Sequence, residues 1–280
     1  MRARAPLPPA LVAGAAICAL VAALALISLV WTPYPAQAMG VAGQLAAPTP
    51  SHPFGSDPFG RDVLSMVIGG TRNALAVALA ACAIGVGVGA PLGLLAAAPQ
   101  RGRWGGMVGE AVMRASDMVF AFPALLIAVL LSAVLGPGAS NAVIAIGVFN
   151  VPVFAKVARG AALTLWAQDY VLAARLAGKS RWRISLEHIA PNLMNGLVIQ
   201  GAIQLSLAVV ADAGLSYVGL GVQPPAPSWG RMLADAQTLY AAAPWLALFP
   251  GGAIVLTVLG FSLLGDGLRE RLDPRNQEGV

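Results

Sequence analysis

Charged residues are scarce in this sequence. Asp, Glu, Lys and Arg make up 10% of the 280 residues, whereas 58% of the residues are apolar. An average soluble domain carries about 25% charged residues. The scarcity therefore excludes an ordinary water-soluble domain and favours a protein that lies in a membrane.

Cysteines and catalytic signatures are also scarce. Both cysteines, Cys18 and Cys82, lie inside apolar runs, so we interpret them as small core residues rather than as a disulfide or metal ligands. The sequence has no Gly-x-Ser-x-Gly or His-Glu-x-x-His motif. Gly178-Lys179-Ser180 lacks the earlier glycine of a phosphate-binding loop, because Ala173 stands at that position. We predict that the chain is not an enzyme and binds no cofactor or metal itself.

Six apolar runs are long enough to cross a bilayer, which takes about 20 helical residues. They do not alternate between polar and apolar positions as the strands of a membrane barrel do. The first run exceeds the roughly 7–15 apolar residues of a secretory signal, so we expect it to remain as a span. We predict an all-α membrane protein, a polytopic bundle of about six transmembrane helices. The predicted spans are Ala10–Val30, Ala74–Ala98, Met118–Leu135, Ala139–Ala155, Leu193–Ala211 and Pro244–Gly265.

The Lys and Arg residues predict the orientation of these spans. If both termini are cytoplasmic, all but three of the 17 Lys and Arg residues lie on the inner side, the exceptions being Arg61, Arg72 and Arg231. This positive-inside bias predicts an N-in, C-in topology. It accounts for the net charge of +5 without nucleic acid. His52 and His188 then lie on opposite sides of the membrane and cannot share a metal site within one chain.

The residues Asp169–Asn192, DYVLAARLAGKSRWRISLEHIAPN, form an amphipathic basic segment between spans four and five. We predict two short helices broken at Gly178, the first over Trp166–Ala177. The second is predicted to stop at Pro191, because proline cannot continue a helix. The first helix is expected to carry on one face Tyr170, Val171, Ala174 and Ala177. The second is expected to have a charged face with Arg181, Arg183 and Glu187. Such a segment predicts a docking surface for a cytoplasmic partner.

Two features within the spans leave alternatives open. Asp212 is the only acid inside a long apolar stretch, where a charge costs about 2.5–3.5 kcal/mol, so it either lines the substrate pathway or gate, or makes a structural hydrogen bond or a partner-subunit contact. Span two carries Gly85, Gly87, Gly89 and Gly93. Glycines at this spacing allow close helix contacts, either within the chain or at a subunit seam or moving gate.

The two outer loops are rich in proline and glycine. The loop after span one contains HPFGSDPFGRD, in which His52, Asp57 and Asp62 either form a cation site or order the loop through hydrogen bonds. The loop Gln223–Ala243 contains three prolines, and we expect no regular helix there.

The basic segment resembles a known sequence pattern. Ala173-Ala174-x-x-x-Gly178, with Pro191 thirteen residues after the glycine, resembles the cytoplasmic signature loop of permease subunits in bacterial ATP-binding-cassette importers. The family pattern has Glu where this chain has Leu172, and Ile and Leu where it has His188 and Ala190. These departures are familiar in the dipeptide/oligopeptide/nickel branch.

Four further motifs resemble the same branch, and together the motifs span residues 52–275. They are the outer-loop set His52, Asp57, Arg61 and Asp62; Arg114-x-x-Asp117 with Phe122-Pro123; Leu215-Ser216-Tyr217-x-Gly219-Leu220-Gly221 with Trp229-Gly230; and the tail from Leu264 to Arg275. The His-Pro loop and the Leu-Asp-Pro-Arg tail resemble the second of the two permease types that pair in these importers.

The resemblance implies that this chain is half of a pore in the bacterial inner membrane. A homologous permease would form the other half, and two cytoplasmic ATPase subunits would bind ATP and Mg²⁺. An extracytoplasmic binding protein would deliver the substrate, a di- or oligopeptide. The implied organisation is a first helix and outer loop in 1–72 and a permease domain in 73–280, with a coupling loop at about 156–192. The implied ATPase-coupling residues are Tyr170, Val171, Ala173, Ala174, Gly178, Arg181 and Pro191.

Two alternatives remain at this point. The same scaffold could carry nickel or another small solute, because the resemblance does not separate the substrates of the branch. A self-contained secondary transporter would instead need ionisable residues near the midplane, of which Asp212 is the only candidate.

Overall fold

The computed structural model describes residues 7–98 and 103–272, and its regular elements there are all helices. The helices are α1 (Pro9–Ile27), α2 (Val63–Ile84), α3 (Ala90–Ala97), α4 (Arg103–Ala121), α5 (Ala124–Leu135), α6 (Ala139–Trp166), α7 (Asp169–Leu176), α8 (Arg181–Ile184), α9 (Ala190–Tyr217), α10 (Trp229–Ala236) and α11 (Trp245–Leu272). Two five-residue π-helical turns, Gly85–Gly89 and Ser185–Ile189, join α2 to α3 and α8 to α9.

Five of the described helices are long and apolar enough to cross a membrane: Pro9–Ile27, Val63–Ala97, Ala139–Trp166, Arg181–Tyr217 and Trp245–Leu272. A bent pair of helices, Gly109–Ala121 and Leu125–Leu135, makes a sixth candidate span. The prediction of an all-α bundle of about six spans is confirmed.

Several helices are longer than the apolar runs that predicted them. Span two begins at Val63 rather than Ala74, and span four continues beyond Ala155 to Trp166. The hydrocarbon core of a bilayer is about 30 Å thick and limits only the apolar run, whereas a helix continues into water wherever its backbone stays hydrogen-bonded. Helix α2 also runs through the predicted segment boundary between residues 72 and 73, which is therefore not the end of an element.

Span three is not the continuous helix predicted over Met118–Leu135. Helix α4 ends at Ala121, α5 begins at Ala124, and the two meet at 84°. Pro123 lies between them, and it has no N–H to donate to the preceding turn. Its ring also disfavours helical backbone at the residue before it, so the chain bends here.

Glycines allow the helices to approach closely. A Cβ atom at Gly14 of α1 would overlap the backbone of Leu264 in α11, and one at Gly267 would overlap the backbone of Leu11. In span two, Gly85, Gly89 and Gly93 face α6 in the same way, whereas Gly87 faces open space. For these three glycines the hypothesis of packing within the chain is confirmed.

The loop Gln223–Ala243 contains a helix that the sequence did not predict. Its three prolines all precede residue 228, and α10 begins directly after them at Trp229. The Trp229 Nε1–H donates to the carbonyl oxygen of Val67 in α2 at 3.0 Å. The prolines exclude helix only where they stand, so the expectation for the rest of this loop was wrong.

Candidate functional site: the cytoplasmic basic segment

A turn separates the basic segment from the preceding helix, α6. Helix α6 ends at Trp166 and α7 begins at Asp169, so the helix predicted over Trp166–Ala177 is shorter than expected. The Arg175 guanidinium lies 4.9 Å from the ring centroid of Trp166. This cation–π contact holds the end of α7 against the end of α6.

Gly178 breaks the segment as predicted. Its φ of 79° lies in the left-handed region that favours glycine. Its N–H donates to Arg175 O at 3.0 Å, and the N–H of Lys179 donates to Ala174 O at 3.1 Å, which closes the end of α7. Ser180 Oγ then accepts from the N–H of Arg183 at 3.3 Å and caps α8.

The second predicted helix does not stop at Pro191, and that prediction was wrong. Helix α8, the π-helical turn and α9 form one helix over Arg181–Tyr217, and Pro191 lies in its interior. Just before the proline, the N–H of Ala190 donates to Ser185 O, five residues earlier. The wider turn shifts the hydrogen-bond register, so the helix accommodates the missing proline N–H.

Burial divides the predicted coupling residues into two groups. Val171 is 0% exposed and Ala174 is 8% exposed, and both pack in one core cluster with Ile184, Ile189 and Phe154. The remaining members are exposed: Tyr170, Ala173, Gly178, Arg181 and Pro191. Ala177, the residue after the end of α7, is exposed as well, so only Val171 and Ala174 of the predicted face Tyr170, Val171, Ala174 and Ala177 are buried. The inward residues hold α7 on the membrane helices.

Exposed apolar side chains mark the outer surface of the basic segment. Leu176 is 90% exposed, Leu186 69%, Trp182 55% and Leu172 44%. Sequence reasoning did not single them out, although large apolar residues among basic ones were a visible signal. We call Leu172, Leu176, Trp182 and Leu186 the docking surface, after the docking role that the sequence predicts for this segment.

A network of charges fixes the turn beside the docking surface. Glu187 accepts hydrogen bonds from Lys179 Nζ at 2.7 Å and from Arg183 Nε at 2.6 Å. Lys179 Nζ also lies 3.1 Å from Nε2 of His188. The hydrogen bonds from Lys179 and Arg183 lower the pKa of Glu187 to about 2. This carboxylate lies six residues before the apolar run that starts at Leu193, and it stays ionised at neutral pH.

The polar residues of the outer loop form hydrogen bonds with one another and with nearby backbone N–H groups. His52 Nδ1 lies 2.9 Å from Asp62 Oδ1, and Asp62 Oδ2 accepts from the N–H of Ser65 at 2.8 Å as the N-cap of α2. Arg61 Nε donates to Asp57 Oδ2 at 2.5 Å. The Asp57 Oδ1 atom accepts from the N–H groups of Phe59 and Arg61. These bonds confirm the hypothesis that the residues order the loop.

Asp212 lies in α9, five residues before the outer end at Tyr217. It is 3% exposed, and its Oδ1 atom has no hydrogen-bond partner among the described residues. The neighbouring Ala213 packs against Gly230 of α10. Asp212 therefore faces the interior of the chain.

Metal-ligand chemistry is sparse. Within residues 7–98 and 103–272, no group of three or more His, Cys, Asp or Glu residues is placed to hold a metal ion. The tail motif from Leu264 to Arg275 is helical up to Leu272, and its last three residues lie outside the described residues.

Curated relatives match most of the chain. A dipeptide transport system permease protein of Alkalihalophilus pseudofirmus is 39% identical over 83% of this chain and 75% of its own length. A glutathione transport system permease protein of Pectobacterium atrosepticum is 40% identical over 81% of this chain and 74% of its own length. A di/tripeptide transport system permease protein of Pseudomonas aeruginosa is 42% identical over 79% and 72%.

A solved structure shares the fold. The inward-facing methionine ABC transporter MetNI aligns with a TM-score of 0.59 and 19% identity over 73% of this chain and 94% of that chain. The sequence profile described as "Binding-protein-dependent transport system inner membrane component" matches residues 89–278. The chain therefore belongs to this family and is a multi-pass permease subunit of an ATP-binding-cassette importer in the bacterial inner membrane.

Proposed function

We propose that this chain forms half of the translocation pore of an ATP-driven importer of di- and oligopeptides. A homologous permease supplies the other half as a heterodimer, and an extracytoplasmic solute-binding protein delivers the peptide. Two cytoplasmic ATPase subunits bind and hydrolyse ATP with Mg²⁺, and this chain binds no cofactor. The names of the three relatives support peptides as the substrate class.

The observation that carries the coupling mechanism is the continuous helix Arg181–Tyr217. Its 37 residues correspond to a length of about 55 Å, which is longer than the bilayer core is thick. The docking surface lies at its cytoplasmic end, and Asp212 and Tyr217 lie near its outer end. A displacement imposed by the ATPases at one end is therefore carried to the other side of the membrane.

The residues of the basic segment have two roles, one in holding α7 in place and one in contacting the ATPase. Val171 and Ala174 fix α7 on the membrane helices, because both are buried. The docking surface and the exposed Tyr170, Ala173, Gly178, Arg181 and Pro191 face the ATPase. Closure of the ATPase pair on ATP then favours an outward-open pore, because the two states differ in the contacts they make at this surface.

For Asp212 the structure favours a role in packing over contact with the solute. Its side chain is buried, and Asp212 is not among the residues that line the groove between α5, α6 and α9, whose walls include Asn150 and Gln204. We expect Asp212→Asn to leave uptake within about twofold of wild type, since the amide keeps the shape of the carboxylate. A loss of uptake with unchanged amounts of complex would instead place Asp212 in the gate.

Nickel is the less favoured substrate. A chain that coordinated the metal in transit would need clustered His, Cys, Asp or Glu side chains, which are missing from the part of the chain that the structure describes. A self-contained secondary transporter is disfavoured by the family membership, because the family consists of membrane components of binding-protein-dependent transport systems.

The test is reconstitution of the tagged chain with its co-purifying subunits in proteoliposomes. We expect uptake of a radiolabelled dipeptide that requires both ATP and the binding protein, and no uptake of ⁶³Ni²⁺. Uptake of nickel but not of peptides would overturn the substrate assignment. Uptake by this chain alone without ATP would overturn the importer mechanism.

A further inference from the structure

A groove of about 580 Å³ opens between α5, α6 and α9. Most of its walls are apolar, with Leu125, Phe149 and Leu207 among them. The groove lining contains no charged residue, and its polar side chains are Asn150, Gln204 and Tyr217. The groove thus combines an apolar surface with a small uncharged polar centre.

Two amide side chains form that centre. Gln204 Nε2 of α9 donates to Asn150 Oδ1 of α6 at 2.8 Å. Gln200, one turn away on α9, donates from Nε2 to Gln204 Oε1 at 3.4 Å. Asn150 and Gln204 are each 4% exposed. The Asn150 Nδ2 group is buried and has no hydrogen-bond partner among the described residues.

The amide pair lies near the middle of the membrane. Asn150 is eleven residues from the outer end of α6, and Gln204 is thirteen residues from the outer end of α9. These separations correspond to about 17 and 20 Å along the helices. A bilayer core offers no hydrogen-bond acceptor to an unpaired N–H group at this depth, so a groove containing one is unsuited to face lipid tails alone.

We infer that this groove is the wall of the solute path in this chain, and that the Asn150–Gln204 pair hydrogen-bonds the peptide groups of the passing solute. This inference rests on the proposed function. A peptide group offers one N–H and one C=O, and a primary amide offers both a donor and an acceptor in return. The apolar walls accept varied side chains, and the uncharged lining recognises the backbone rather than an ionised terminus.

The test uses the double variant Asn150→Leu/Gln204→Met in the complete importer in proteoliposomes. Both substitutions keep side-chain size, and replacing both partners removes the Asn150–Gln204 hydrogen bond without leaving half of it unpaired. Among the described residues, only Gln200, which is partly exposed, loses its 3.4 Å contact with Gln204. Ser206→Ala is the matched control, because Ser206 lies on the same helix and its Oγ instead donates to Val258 O of α11 at 3.2 Å. All three complexes are first compared for recovery of every subunit.

The readout is the ratio of ATP-driven uptake of a tripeptide to that of its analogue in which an ester replaces one peptide group. Removing the N–H of the solute removes a donor that the amide pair accepts, whereas the Tyr217 hydroxyl, the other polar side chain of the groove, is the same in every variant. The binding protein contributes equally to every variant, so a change in the ratio reports the permease. We expect the double variant to lower this ratio about tenfold and Ser206→Ala to leave it unchanged.

Two results would overturn the inference. An unchanged ratio in the double variant would show that the pair does not contact the peptide group. Loss of the second permease from the purified complex would show that the groove is a subunit seam filled by a partner helix. Failure of the proposed function is a separate outcome, because the wild-type importer would then move neither solute on addition of ATP.

Discussion

The outer loop and the cytoplasmic basic segment are both rich in charge, but they use it differently. In the outer loop, Asp57 and Asp62 are 5% and 1% exposed and are bonded to Arg61, His52 and nearby N–H groups. In the basic segment, Glu187 is paired at the surface, while Leu176 and Trp182 stay exposed beside it. The outer loop pairs its own charged groups by hydrogen bonds, whereas the basic segment leaves apolar side chains exposed for a partner.

This difference indicates a structural role for the outer loop and a docking role for the basic segment. Buried and fully paired polar groups hold a loop in one conformation but offer little to another protein. Exposed apolar groups can be buried by a partner protein, and the basic residues around them attract a partner surface of negative charge. We therefore expect substitutions in the basic segment to affect assembly and coupling, and substitutions in the outer loop to affect stability.

The largest effect is expected for Gly178→Pro. Proline fixes φ near −65°, whereas the turn needs 79°, so α7 no longer reaches its place beside α8. We expect peptide uptake to fall by about 100-fold or more, which corresponds to a cost of about 3 kcal/mol. Gly178→Asn is the control, because asparagine tolerates the left-handed region. Normal uptake by the proline variant would refute the role of this turn.

A second large effect is expected for Leu176→Asp. Leu176 is 90% exposed, so the substitution leaves the chain folded but places a charge on the docking surface. We expect the affinity for the ATPase subunits to fall by about 10–100-fold, measured by co-purification at graded salt and protein concentration. The control is Tyr240→Asp, which is also exposed but lies on the outer side. Equal losses in both variants would contradict a specific docking surface.

An intermediate effect is expected for Asp62→Ala in the outer loop. The substitution removes the N-cap of α2 and the partner of His52, at a cost of about 2 kcal/mol. We expect a lower melting temperature in detergent and normal ATPase recovery at 25 °C. Asp235→Ala is the control, because both side chains of the Arg231–Asp235 pair are exposed and such pairs contribute little to stability. Loss of ATPase binding without a stability change would contradict the division between the regions.

The smallest effect is expected for Glu187→Gln. Lys179 and Arg183 lower the pKa of Glu187 from 4.5 to about 2, so its contribution is fully present above pH 4.5 and is lost as the pH falls towards 2. Between pH 5 and 8 the wild type therefore shows no titration from this group. Because the pairs are exposed, we expect ATPase retention to change by about twofold or less. A tenfold loss would mean that Glu187 itself contacts the ATPase.

The sequence predicted the spans well but not their ends or bends. Apolar runs report the bilayer, so they located the helices but missed the extensions to Val63 and Trp166. The 84° bend at Pro123 was not predicted, because the apolar run continues on both sides of the proline. At Pro191 the sequence predicted a helix end that does not exist. Only the backbone shows that a π-helical turn precedes this proline and lets the helix continue.

The sequence located the candidate site but did not predict which of its residues are buried and which are exposed. Basic residues between two apolar runs marked the segment, and glycine marked its turn. Val171 and Leu176 are both apolar residues of α7, and only the packing of α7 shows that the first is buried and the second exposed. The Asn150–Gln204 pair was missed because its residues are 54 positions apart, although amides within apolar runs were a visible signal.

The most direct test of the docking surface is site-specific cross-linking of the complete importer. Cys18 and Cys82 are first replaced by alanine, and single cysteines are introduced as Leu176→Cys, Val171→Cys or Tyr240→Cys. A bifunctional maleimide should join only the Leu176→Cys variant to an ATPase subunit, because Val171 is buried and Tyr240 lies on the outer side. Cross-linking from Val171→Cys and none from Leu176→Cys would contradict the assignment of the two faces of α7.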